Sequence, residues 1–466
     1  MSVNWSTFRE LLITPGTRRG VESALREAIR TGRLPAGTRL PSSRDLASQA
    51  GVARGTVTLA YTQLAAEGYL VSRRGSGTVV SQSVSGADLE AGEDSQPEPA
   101  WRHDLRPGLP ALSAFPRSAW LAATRAGLAG LTDAELGYPD PAGLPALRAE
   151  LAAYLGRVRA VAGTPANIVV TNGAAEGTAL LAQVLHARGH RRVAVENPRH
   201  PGQAELFATH GLTPVPIPVD EDGLIVDNLT TSGARVVMAT TAHQFPLGVA
   251  MHPHRRMALL AWAKDVDGLV IEDDYDAEHR YDTAPVSALQ ALDPERVAYQ
   301  GSVSKTLAPA LRIGWMVAPA ALRADLVARK RSHDLGGSPV THAAMAHLLR
   351  TGGYDRHLRS ARQLYRRRRD ALLAALAEHL SDWTPVGVAA GLHLVVRLPA
   401  GTDDATLAAA LRADGVNVMA LSAYAHAGTA PPYPGLVVGY ALLGPDRLRA
   451  AVTDIARTVG SRRHHG

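Results

Sequence analysis

The sequence predicts two folded parts of unequal size: a small helical head ending in a β-hairpin, and a larger α/β body on a mainly parallel sheet. Three observations carry this. The 466 residues are too many for one core, at roughly 100–200 residues per domain. The charge is lopsided. Residues 1–80 hold eleven arginines, no lysine and five acids, a balance of +6, while the whole chain is 49 basic against 43 acidic, so residues 81–466 are neutral. Beyond Ile168, short apolar runs alternate with helical patterns, the signature of a sheet wrapped by helices. A composition of 46% hydrophobic and 20% charged residues excludes wholesale disorder.

In the head, Val21, Leu25 and Ile29 recur at helical spacing, and the pattern stops near Gly32. Ser42 and Ser43 are N-cap candidates for a short helix through Ala47, and Gly51 makes a tight turn. A second helix from Arg54 carries Val57, Ala60, Tyr61 and Leu64 on one face. Residues 69–80 then read strand, glycine turn, strand. Helix, helix–turn–helix and hairpin make a winged helix. Such a fold presents the N-terminal residues of its recognition helix to the major groove, here Arg54, Thr56 and Val57. Arginine can bond guanine twice, and a small apolar group can meet a thymine methyl. Arg44 opens the preceding helix, and Arg73 and Arg74 lie at the wing, placed for phosphates or the minor groove. The stretches 40–47, 52–57, 64–70 and 75–78 resemble the GntR-type winged helix, which implies a double-stranded DNA operator as partner.

Residues 81–99 are polar and acidic with no hydrophobic period, so a linker is expected. The boundaries read as 1–80 for the head, 81–102 for the linker and 103–466 for the body. No run of apolar residues is long enough for a membrane span, and no export signal opens the chain, so a cytoplasmic protein is the expectation. There is no cysteine, which removes disulfides and thiolate chemistry, and no histidine spacing suggests a metal site.

In the body, strands are expected at 168–171, 193–195, 236–238, 269–271, 297–299 and 313–317. Ligands bind such sheets at the carboxyl ends of the strands. Three segments follow strand ends. Thr171-Asn-Gly-Ala174 opens a helix with free N–H groups suited to phosphate. Glu272-Asp-Asp-Tyr275 gathers carboxylates. Gly301-Ser-Val-Ser-Lys305, with Arg312 seven residues on, pairs an amine with anion-binding groups.

Together these segments resemble the fold-type I aminotransferases that bind pyridoxal 5′-phosphate, over residues 104–458. The resemblance implies that body architecture, with a smaller C-terminal α+β subdomain. It makes Lys305 the residue forming the internal aldimine. It gives the phosphate to Ser302, Ser304, Arg312 and the backbone at Gly173 and Ala174, with Tyr138 reaching the phosphate of a second subunit in a homodimer. Asp273 is preferred over Asp274 for the pyridine nitrogen, Tyr275 bonds the ring hydroxyl with His243 or Gln244 near it, and His200 takes the ring-stacking position. A GntR-type head on this body resembles the MocR/GabR group of transcription regulators, as 243–248, 272–275, 301–305 and 390–393 also do. An effector is then expected, either the cofactor itself or an amine or amino acid.

The chain departs from active aminotransferases in three places. Val437 occupies the last-strand position where an arginine grips the substrate carboxylate, the stacking residue is His200, and Ala175 replaces a glutamine. Losing a bidentate carboxylate partner forfeits roughly 1.5–3 kcal/mol. These departures favour a sensor, as in the branch of the group that controls pyridoxal phosphate synthesis, over an aminotransferase carrying a DNA-binding appendage.

Overall fold

The computed structural model describes residues 18–73, 77–81, 100–281 and 287–463. The chain divides into two units, Met1–Pro99 and Ala100–Gly466.

In the first unit, helices α1 (Arg18–Arg30), α2 (Ser43–Ala50) and α3 (Arg54–Ala66) precede strands β1 (Leu70–Arg73) and β2 (Gly77–Val80), paired antiparallel. Ser42 caps α2 by accepting the Asp45 N–H at 3.2 Å, as its residue type predicts. Val21, Leu25 and Ile29 meet Leu46, Val57, Ala60 and Leu64 in one small core. Ser81, at one end of the expected linker, is tied to this unit through the Tyr69 carbonyl, and Arg102, at the other end, to Asp454 of the body. Residues 82–99 between them lie outside the described residues.

The second unit contains helices α4 (Arg117–Gly130), α5 (Pro145–Arg159), α6 (Ala174–Ala187), α7 (Pro201–Thr209), α8 (Pro253–Asp265), α9 (Ala320–Asp334), α10 (Pro339–Arg350), α11 (Gly353–His379), α12 (Asp404–Ala413) and α13 (Pro445–Arg463). After the short β3 (His103–Asp104), its main sheet uses β4 (Ile168–Thr171), β5 (Arg192–Asn197), β6 (Thr213–Asp220), β7 (Gly223–Leu224), β8 (Val236–Ala239), β9 (Leu269–Asp274), β10 (Val297–Ser302) and β11 (Gly314–Val317). The order is β4-β11-β10-β9-β8-β5-β6-β7. All six expected runs are strands, with one reversed: β11 is antiparallel to both β10 and β4. The connection from β10 to β11 holds only a short 3-10 helix, Pro309–Leu311, and no α-helix, and a parallel return needs a crossover of about a dozen residues or more.

Strand β6 escaped the sequence reading because Pro214, Pro216 and Pro218 argue against a strand. Residues two apart turn their N–H groups to the same side, so all three missing donors fall on one edge. That edge is nearly open, since β7 pairs only with Val219 and Asp220. Alternation sorts the sheet faces: Val193 and Val195 pack with α6 and α9, and Ala194 packs with α8. A second sheet joins β12 (Thr384–Val386), β13 (His393–Arg397), β15 (Met419–Ala420) and β16 (Gly435–Gly439) in the order β12-β13-β16-β15, while β14 (Val416–Asn417) pairs with β3. Helices α11, α12 and α13 cover this smaller α+β part through Tyr365, Leu372, Leu411, Leu448 and Ile455. Among the described residues no helix is long and apolar enough to cross a membrane.

Candidate functional site

A cavity of about 630 Å³ opens at the carboxyl ends of β4, β8, β9 and β10, where strand direction concentrates the loops. Ala174, His200, Asp273, Tyr275, Ser302, Ser304, Lys305 and Arg312 all line it. Strand alternation separates the neighbouring carboxylates. Glu272 and Asp274 point to one face, Asp273 to the other. Asp274 is buried in an ion pair with Arg159 at 2.6 Å and accepts the Tyr299 hydroxyl at 2.7 Å. Glu272 accepts the Thr241 hydroxyl at 2.5 Å and two backbone N–H groups. Asp273 faces the cavity. Its Oδ2 accepts the Gln203 amide at 2.6 Å and its Oδ1 the Gln300 amide at 3.1 Å. Both donors are neutral, and burial pushes the carboxyl up to about 6. A buried carboxylate held this way suits a cationic ligand group.

Lys305 follows β10 by three residues. Its Nζ donates to the Gly108 carbonyl at 2.5 Å. Burial pulls its amine below the ordinary value against the opposing pull of Asp276 and Asp273, which favours the neutral, nucleophilic form.

The anion side is built on Gly173, the N-cap of α6, at φ 85°. A side-chain carbon there would come within 3.0 Å of the Arg312 guanidinium, so only glycine leaves this cradle open. Arg312 itself bonds the Asn172 carbonyl. The free N–H groups at the start of α6, the hydroxyls of Ser302 and Ser304 and this guanidinium form a donor set for a phosphate. The same cavity is lined by the Lys305 amine and the buried Asp273 carboxylate. These groups fit a phosphorylated aldehyde with a basic ring nitrogen.

Other expected residues stand elsewhere. His243 is buried behind the cavity wall, not in it. Its Nδ1 lies 2.9 Å from Asp276 and 3.0 Å from the Tyr275 hydroxyl, so it reaches the cavity through Tyr275. Gln244 is spent on the backbone of its own turn and of Pro198. His200 lines the cavity and caps α7, accepting the Gly202 N–H at 3.2 Å. Tyr138 is 90% exposed and does not line this cavity. Val437 is fully buried with Val395, Leu421 and Tyr424 in an apolar cluster. Sequence reading passed over Gly108, Gln203 and Gln300, which line the cavity, as does His393 at the end of the 390–393 stretch. Only Gln300 carried a local signal, being beside Asp273 in the register of β10 on β9.

In the head, Arg44 and Arg54 are exposed, and the Arg54 Nε lies 3.4 Å from the Ser43 hydroxyl. Thr56 is half-buried. Val57 corrects the groove-facing set: it is fully buried in the head core, and Thr58 is the exposed neighbour on that turn. The 3.6-residue period that aligns Val57 with Ala60, Tyr61 and Leu64 turns it inward. Arg74 and the side chain of Arg73 lie outside the described residues.

The family model for aminotransferase class I and II matches residues 110–432, and that for bacterial regulatory proteins of the gntR family matches residues 17–80. The chain is 35% identical over 456 residues to the probable rhizopine catabolism regulatory protein MocR of Rhizobium meliloti, covering 92% of this chain and 91% of that protein. It is also 35% identical over 441 residues to the HTH-type pyridoxine biosynthesis transcriptional regulator PdxR of Corynebacterium glutamicum, covering 93% and 94%. Among solved structures, the Pyrococcus horikoshii kynurenine aminotransferase, crystallised with PMP, superposes with a TM-score of 0.70 at 25% identity, covering 80% of this chain and 96% of that one.

Proposed function

We propose a function from one established premise, that the chain belongs to the MocR/GabR group of regulators, which join a GntR-type DNA-binding head to an aminotransferase class I and II body. The protein is a transcription regulator that binds operator DNA through the head and pyridoxal 5′-phosphate through the body. The observation that carries the reading is the convergence of Lys305, Asp273 and the Gly173–Arg312 cradle on one cavity.

When bound, the cofactor supplies an aldehyde and an electron-withdrawing ring. Lys305 offers the amine that holds the aldehyde. Asp273 keeps a proton on the ring nitrogen, with Gln203 and Gln300 fixing its carboxylate. Tyr275, backed by His243 and Asp276, presents a hydroxyl toward the ring. Ser302, Ser304, Arg312 and the start of α6 grip the phosphate. Tyr138, exposed in one chain, serves the phosphate site of a second copy, so the working unit is a homodimer. In the head, Arg44, Arg54 and Thr56 contact the duplex, with Arg73 and Arg74 at the wing.

The apolar cluster around Val437 favours regulation over turnover, because no arginine awaits a substrate carboxylate there. The effector is therefore the cofactor itself or an amine that reaches it. The linker carries ligand state to DNA affinity, and the switch is no stronger than the difference in ligand affinity between the two arrangements. Purified protein titrated with pyridoxal 5′-phosphate should gain a visible absorbance band that Lys305→Ala abolishes. Addition of common amino acids should yield no repeated keto-acid production. Multiple turnovers would make the protein an aminotransferase instead, and a colourless wild type would end the cofactor reading.

A further inference from the structure

We propose that Lys330 is a positioning residue for the phosphate cradle, acting through Glu176 and Asp334. The proposal rests on the pyridoxal phosphate reading and extends it to a cluster outside the cavity. Lys330, on α9, is one of only three lysines in the chain and is fully buried. Its Nζ donates to Glu176 Oε2 at 2.8 Å and to Asp334 Oδ2 at 2.7 Å. The same Glu176 oxygen accepts the backbone N–H of Asn172 at 2.6 Å. The Asn172 side chain donates to Glu176 Oε1 at 3.3 Å and to Asp334 Oδ2 at 2.8 Å. Asp334 Oδ1 also accepts the Gly336 N–H at 2.8 Å, and His333 approaches Glu176 at 3.9 Å from the surface.

Asn172 is thus held from behind by a network closed on Lys330. Its carbonyl is the one that Arg312 bonds, and its neighbour is Gly173. Asn172 is the shared residue: its N–H bonds Glu176 in the lysine cluster and its carbonyl accepts from Arg312 of the cradle. An ammonium between two carboxylates bonds both and holds them in place. Without it, Glu176 and Asp334 lose their shared partner across the Asn172 amide, and the pair no longer holds its geometry. That frees Asn172, whose carbonyl aims Arg312. Lys330 touches nothing that would contact the ring or the aldehyde. Its removal should therefore weaken recognition of the phosphate and spare recognition of the rest of the cofactor.

The experiment compares two vitamers that differ only in that phosphate. Full-length wild type, Lys330→Met and Glu176→Gln are titrated with pyridoxal 5′-phosphate and with pyridoxal by visible absorbance. Inorganic phosphate is added as competitor. The expected result is a loss of about tenfold or more for pyridoxal 5′-phosphate in Lys330→Met. Pyridoxal affinity should stay within twofold, and inorganic phosphate should compete less well than against wild type. Glu176→Gln should move the same way, and it carries the test if Lys330→Met does not fold. Equal losses for both vitamers would make the cluster merely structural, and unchanged selectivity for the phosphate form would make it irrelevant; either overturns the proposal. A wild type indifferent to the phosphate group would instead sink the cofactor reading, and this proposal with it.

Discussion

Replacing Asp273 by asparagine should move two properties in opposite directions. The carboxylate is buried with only neutral amide donors, and its pKa is pushed up to about 6 from an ordinary 3.8. A raised carboxylate favours the folded state fully below pH 3.8 and loses that contribution as pH rises through about 6. At pH 8 the ionised group therefore costs the ligand-free fold about 3 kcal/mol, from roughly two units at about 1.4 kcal/mol each. Asparagine removes that charge. It keeps the bond from Gln300, whose amide is oriented by the Thr178 hydroxyl at 3.2 Å, but sets its own Nδ2 against the Gln203 donor. Rotation of the Gln203 amide mends this, and failure to rotate costs about 1–3 kcal/mol. The ligand-free variant should be at least as stable as wild type at pH 8, with a smaller advantage at pH 5. Cofactor binding should suffer, because a charge-assisted bond to the ring nitrogen is worth about 1.5–3 kcal/mol, a factor of roughly 10–150 in affinity. The assay is a pair of thermal melts of ligand-free protein with an absorbance titration of each form. A variant that binds the cofactor within twofold of wild type, or whose ligand-free form is clearly less stable at pH 8, would refute the assignment of Asp273.

Asp274→Asn should behave differently although it is adjacent: it strips the counter-charge from buried Arg159 and should destabilise the body by about 3–5 kcal/mol in denaturant unfolding. Arg54→Ala should cost about 1–3 kcal/mol in operator affinity and relax base preference at one position, read by binding to a panel of substituted duplexes. Val57→Ala should lower the stability of the head by about 2 kcal/mol while leaving base preference unchanged, because its side chain is in the core.

How much of this was legible beforehand follows from how local each signal is. The head was readable because its period, caps and turns are all short-range: Ser42, Gly51 and the Val57–Leu64 face each act within a few residues. Even so, one helical period makes Val57 a core residue, and reading it as a groove contact ignored the stripe to which it belongs. The body strands were readable as apolar runs, but their directions were not, since β11 is reversed by a connection too short for a crossover. Lys305, Arg312 and Gly173 could be found because they sit at strand ends and carry motif chemistry. Gln203 and Gly108 could not, because each arrives from a distant segment and is ordinary in its own neighbourhood. The preference for Asp273 over Asp274 came from its spacing two residues before Tyr275 in the family resemblance; strand alternation along β9 separates the two carboxylates, and the cavity lining holds Asp273.

The most direct measurement is the affinity of full-length protein for fragments of its own genomic DNA, with and without pyridoxal 5′-phosphate, beside Lys305→Ala. A regulator that senses through Lys305 should bind a specific fragment with an affinity the vitamer shifts severalfold, and the variant should bind that fragment without responding. Identical DNA binding by both proteins at every vitamer concentration would contradict it.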